Sequence, residues 1–205
     1  MADAAAPQIY LVSPPALDIE IFPSVLARVL DAAPVACLRL DLATRDADAL
    51  MRAADACREV AIARDVAVVI AEHVQLAERL GLDGVHLDGP RGVRAARSAL
   101  GPDAIVGAAC GASRHDGMVA GEAGADYVTF GPVDGAVLGD GRLADRELFE
   151  WWSEMIEVPV VAEGGLSEER LASLWDVVDF LAFGEEVWGA EDPADRLAAF
   201  AAGPR

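Results

Sequence analysis

Seven carboxylates fall at or just after segments that read as β-strands: Asp41, Glu72, Asp88, Asp134, Glu163, Glu185 and Glu186. Facing them are Arg39 and His73, with Arg91 and Arg114 further along the chain. Paired carboxylates suit general acid–base chemistry, one holding a proton while the other accepts one, and Glu72, Asp88 and Glu163 are the candidates for that role. Arg39, Asp41, His73, Asp134, Gly164, Gly165, Gly184 and Glu185 make up the candidate ligand-contact set. So many acids disfavour a strongly anionic ligand: two unit charges ~4 Å apart at an effective dielectric of ~20 interact by ~4 kcal/mol. Glu163 stands out, because an acid pointing over a barrel centre is costly unless paired or solvated.

Some of these residues also have plain structural readings. Glu185 and Glu186 precede a short helix-like segment, where a carboxylate complements the positive helix terminus. Arg39 and His86 lie inside strands and could instead form a buried hydrogen-bonded pair with a neighbouring acid. His115 reads as an exposed helix-start residue.

What could position such a set is a strand–helix alternation running the length of the chain. Apolar, β-branched runs predict strands at Ile9–Val12, Ala36–Leu40, Val66–Ile70, Gly84–Leu87, Ala104–Ala108, Tyr127–Phe130, Pro159–Ala162 and Phe180–Phe183. Helix-period segments separate them, the clearest at Ala47–Arg64, where Leu50, Ala54, Cys57, Val60 and Ala61 share one stripe. Others fall near Phe22–Ala32, His73–Leu80, Val93–Leu100, Gly117–Ala123, Glu147–Met155, Glu168–Val177 and Pro193–Ala202. Alternation implies parallel strands with right-handed crossovers, and eight such repeats predict one α/β domain over residues 1–205, a single (β/α)8 TIM barrel. The rival is a doubly wound open sheet. No GxGxxG follows the first strand, where Ser13-Pro14-Pro15 stands, and this weakens it. In such barrels chemistry sits at the carboxyl ends of the strands, which is where the acids fall. The glycine-rich Gly135–Gly141 segment would be the loop after the sixth strand.

Composition narrows the function classes. All sixteen basic residues are arginine, against thirty-five acids and a net charge of −19. Without a lysine the chain has no Schiff-base nucleophile, and without a basic cluster it makes a poor partner for nucleic acid or an anionic membrane. The expected partner is a small molecule, with homodimerisation left open. Cys37, Cys57 and Cys110 lack CxxC spacing and read as core thiols. No apolar run approaches the ~18 residues that cross a bilayer, and the first eight residues do not read as a secretory signal, so a cytoplasmic location is expected.

Three stretches resemble the thiamine phosphate synthase family and its thiazole tautomerase (TenI-like) relatives: Val69–Asp88, VIAEHVQLAERLGLDGVHLD; Gly124–Val133, GADYVTFGPV; and Pro159–Leu166, PVVAEGGL. With matching strand spacing the resemblance runs from Gln8 to about Trp188. It implies a transferase of thiamine biosynthesis that joins a pyrimidine diphosphate to a thiazole phosphate, with magnesium on the diphosphate.

The active-site positions depart from the family pattern. Of the QxRxK pattern ending the second strand, Cys37-Leu38-Arg39-Leu40-Asp41 keeps only the arginine, and the lysine has become Asp41. The Asn-Asp pair after the third strand corresponds to Ala71-Glu72. The HLGQ segment and its metal-binding aspartate correspond to His86-Leu87-Asp88-Gly89 and then Arg91, which leaves Glu72 and Asp88 as shifted magnesium ligands, and no other cofactor is implied. GxSxH becomes Gly107–Gly111, without the histidine. Asp134–Asp140 replaces a threonine-rich loop ending in lysine. Gly164-Gly165 are kept, but the phosphate-binding serine corresponds to Gly184-Glu185-Glu186. The expectation is a thiamine-related ligand with altered or absent catalysis. Alternatives are a non-catalytic ligand-binding or sensing barrel, and a working synthase with shifted magnesium ligands. Glu185 is expected to fill the phosphate cup, its carboxylate satisfying the amides of Gly164, Gly165 and Gly184.

Overall fold

The computed structural model describes residues 6–135 and 142–204, so most of the glycine-rich loop, 136–141, lies outside the described residues. Eight parallel strands close into a barrel in chain order. They are β1 (Gln8–Val12), β2 (Val35–Leu40), β3 (Ala67–Ala71), β4 (Gly84–Leu87), β5 (Ile105–Ala109), β6 (Tyr127–Phe130), β7 (Val160–Glu163) and β8 (Phe180–Phe183). Every predicted strand is present, and the open sheet is excluded because β8 pairs with β1.

Helices α1 (Phe22–Ala32), α2 (Ala47–Ile62), α3 (Val74–Leu80), α4 (Val93–Leu100), α5 (Arg114–Ala123), α6 (Arg146–Met155), α7 (Glu168–Leu174), α8 (Glu185–Trp188) and α9 (Pro193–Ala201) surround the barrel. Their starts follow side-chain caps where the chain supplies an Asp or Ser: Asp46, Ser113, Asp145, Ser167 and Asp192 each accept an amide of the first turn. None of the helices among the described residues is long and apolar enough to cross a membrane.

The strand period of two divides the apolar residues into two cores. Leu11, Leu38, Ile70, Val85, Val106, Val128, Ala162 and Leu181 face outward into the layer under the helices. Tyr10, Cys37, Val69, Tyr127, Val161 and Ala182 fill the barrel interior. At the amino-terminal face three aspartates staple strand starts, Asp83 accepting from Val68, Asp126 from Val106 and Asp179 from Val160 at 2.6, 2.7 and 2.8 Å. Each such bond satisfies a strand-end amide that no ladder reaches.

One of the two interior tyrosine rings, Tyr127, has its place because its neighbour has no side chain. Gly107 pairs in register with Tyr127, and a Cβ on Gly107 would lie 2.0 Å from Tyr127 Cζ. Gly107→Ala is therefore expected to cost about 1–3 kcal/mol through overpacking, read as a lower urea midpoint at unchanged slope. A stability within a few tenths of a kcal/mol of the parent would show that the ring can move aside.

Candidate functional site

Strand alternation places Arg39 on the inner face of β2 and Glu163 at the tip of β7, across the barrel mouth. Arg39, 7% exposed, donates from Nη1 to Glu163 Oε2 at 2.8 Å, while Nη2 lies 3.4 Å from Asp41 Oδ2. Burial works against the guanidinium charge, but Glu163, Tyr10 and Asp41 outweigh it and raise the Arg39 pKa above the usual arginine value. The acid that Arg39 pairs with is Glu163, and the same arginine lines the cleft at the barrel mouth. Arg39 Nε and Thr129 Oγ1 are buried without a protein hydrogen-bond partner.

His86 pairs differently. Its Nδ1 lies 3.0 Å from Tyr127 Oη, which in turn lies 2.7 Å from Tyr10 Oη, so the histidine meets a phenol and not an acid. Burial first, then the Arg39 charge, push the imidazole well below its ordinary value. Burial also pushes both phenols well above theirs. This neutral chain plugs the barrel beneath the ion pair. The cysteines are buried and free, and desolvation pushes each thiol up to about 12, in keeping with core thiols.

Above the plug opens a cleft of about 460 Å³ lined by Val12, Arg39, Pro132, Glu163, Gly184 and Glu185, with Glu186 and the glycines that follow β6 and β7 completing it. Gly131 has no room for a side chain, since a Cβ there would lie 2.3 Å from the Glu163 carbonyl oxygen. Gly164 and Gly165 take left-handed backbone at φ 79° and 81°. Gly165 is closed in as well, with a Cβ meeting the Asp134 carbonyl oxygen at 2.5 Å.

The phosphate cup is filled from within, but by a different residue than expected. Glu186, not Glu185, accepts from Gly165 N at 2.9 Å and Leu166 N at 3.2 Å on Oε1, and from Gly184 N at 3.0 Å on Oε2. Gly164 contributes its carbonyl instead, accepting from Val133 N at 2.8 Å. The reason is rotational: α8 begins at Glu185, whose side chain is exposed, and the next residue, about 100° further round, turns back toward the β7 loop.

Not all the candidates converge on this cleft. Glu72 and Asp88 meet at the ends of β3 and β4, where Glu72 Oε1 accepts from Asp88 N at 2.6 Å. Glu72 holds φ at 62°, a left-handed conformation that costs a non-glycine residue on the order of 1 kcal/mol and is kept here by that bond. With His73, Glu72 lines a separate groove between α2 and α3, beside Arg45, Asp48 and Arg79. Asp134 turns to Arg170 at 3.2 Å, and the Gly135 amide together with Arg170 holds its carboxyl below the ordinary value. Among the described residues no three His, Cys, Asp or Glu side chains gather to hold a metal ion. Glu72 and Asp88 thus stand side by side at the ends of β3 and β4, apart from the cleft that Arg39 and Glu163 line. His115 lies exposed in the first turn of α5.

The cleft lies at the carboxyl ends of the strands of a (β/α)8 barrel, the face on which barrels of this fold carry their sites. Residues 9–186 match the family described as thiamine monophosphate synthase. A thiamine-phosphate synthase of Rhodospirillum centenum is 44% identical over 199 residues, covering 95% of this chain and 94% of that protein. One of Erythrobacter litoralis is 40% identical over 203 residues, covering 95% and 94%. Thiamine phosphate pyrophosphorylase from Pyrococcus furiosus superposes with a TM-score of 0.80 at 23% identity, covering 93% and 92%. The chain belongs to the thiamine monophosphate synthase family.

Proposed function

We propose that this protein acts in thiamine metabolism on a small heterocyclic ligand held in the strand-end cleft, and that the coupling reaction named for its relatives is altered or absent in it. The observation that carries this is the state of Arg39. Among the described residues lining the cleft it is the one cationic side chain, and Glu163 and Asp41 already face it at 2.8 and 3.4 Å. A diphosphate entering here would meet carboxylates before any unpaired positive charge, and preorganised charge of the right sign is the largest single catalytic contribution in such transfers. Glu163, held by Arg39 and open to the cleft on its other side, is the best-placed proton acceptor for a ligand less anionic than a diphosphate.

Incubating the purified protein with both phosphorylated precursors and Mg²⁺ is expected to give turnover far below the ~1 s⁻¹ ordinary for an enzyme. Turnover near that rate would overturn the reading in favour of a working synthase, with Glu72 and Asp88 as its metal ligands. In parallel, thiamine and its unphosphorylated precursors should raise the melting temperature, since ligand at ~100 times Kd adds ~2.7 kcal/mol of stability. No shift with any of them would count against a thiamine-related ligand.

A further inference from the structure

We infer that Glu186 sets ligand specificity: its carboxylate permanently occupies the anion nest between the loops after β7 and β8, so the ligand end that docks there is a neutral hydrogen-bond donor such as a hydroxyl, not a phosphate monoester. This rests on the proposed reading of the cleft as a small-ligand site. Three backbone N–H groups from two separate loops converge on one side chain. Those of Gly165 and Leu166 reach Oε1 at 2.9 and 3.2 Å, and that of Gly184 reaches Oε2 at 3.0 Å. Successive left-handed glycines, Gly164 and Gly165, give the first loop this shape, and concave arrays of amides of this kind bind anions. Here the anion is part of the chain.

Two consequences follow for a ligand. A phosphate would have to displace a carboxylate tethered beside the amides, whose effective concentration exceeds that of any free competitor at millimolar level. It would also arrive beside Glu163 and Glu185, which line the same cleft. The nest has thus changed from a donor surface to an acceptor. A carboxylate offers about four lone-pair sites; three are taken by the amides, and the remaining one can accept from a ligand hydroxyl or amine. α8 is a single turn, too short for a helix dipole to account for the arrangement, and two of the three donors come from the other loop.

Calorimetric titration with inorganic phosphate tests this without reference to activity. The parent protein and Glu185→Ala are expected to give no saturable heat at millimolar phosphate, and Glu186→Ala to bind at least ~10-fold more tightly, a difference of ~1.4 kcal/mol. Glu186→Gln, which keeps the size and drops the charge, should fall between and serves if the alanine variant does not fold. Saturable binding by the parent as tight as that of either variant would overturn the proposal, as would folded Glu186 variants with no gain. Because phosphate reads only the nest, a gain in Glu186→Ala stands even if no thiamine-related ligand binds, and that result would fell the proposed function alone.

Discussion

Glu163→Ala is expected to destabilise the protein by about 3–5 kcal/mol, the usual effect of stripping one partner from a buried ion pair. The guanidinium of Arg39 cannot follow the lost charge into solvent: its side chain is 9% exposed, that of Glu163 only 23%. Asp41, at 3.4 Å and half-exposed, would be left as the sole counter-charge and is too well solvated to compensate. Glu163→Gln should cost less, because an amide oxygen can still accept from Nη1. Replacing both partners with apolar residues of similar volume, Arg39→Met with Glu163→Leu, should recover most of the loss, since the desolvation of the pair disappears with it. For a chain of this length each kcal/mol moves the melting point by about 2–4 °C, so Glu163→Ala should melt on the order of 10 °C early. A loss below about 1 kcal/mol would mean that water already reaches the pair and that Arg39 is solvated at the mouth.

The barrel could be read from the chain because each repeat carries its own signal, an apolar run followed by a helix-period segment, with Tyr127–Phe130 and Phe180–Phe183 bounded as expected. Element ends were less legible. α7 stops at Leu174, short of Val177, and α2 at Ile62, short of Arg64, whose side chain turns to the Val60 carbonyl and Asp31. Site pairings were hardest, because they depend on the stagger of strands that do not touch. β2 and β7 share no ladder, so nothing local to Arg39 points to Glu163 as its partner. Glu185 and Glu186 differ by one step around a single helical turn, and adjacent identical side chains cannot tell a reader which one faces inward. The sequence shows Gly107 as a glycine inside an apolar strand run, but only the register that sets it opposite Tyr127 reveals the ring crossing the barrel and the hydroxyl that His86 meets.

That ring makes His86 the source of a pH dependence. His86 is 3% exposed and hydrogen-bonded through Nδ1 to Tyr127, whose hydroxyl is held to Tyr10. With its pKa pushed well below the ordinary 6.5, by burial first and by Arg39 second, the folded protein keeps the imidazole neutral where the unfolded chain protonates it. Both phenols stay protonated throughout, since burial pushes them upward, and the guanidinium of Arg39 does not titrate, so His86 alone changes charge inside the barrel. The unfolded state therefore binds one more proton between the two values. The contribution is fully present above about pH 6.5 and is lost as pH falls toward the folded pKa, at ~1.4 kcal/mol per pH unit. Carboxylates titrate over part of this range too, so the test is a difference. Urea unfolding of the parent and of His86→Gln, which keeps polarity but cannot titrate, should give a parent advantage that shrinks on acidification between pH ~6.5 and ~4.5, at no more than ~1.4 kcal/mol per pH unit. Curves that run parallel across that interval would show that the imidazole takes up its proton inside the barrel as readily as in the unfolded chain.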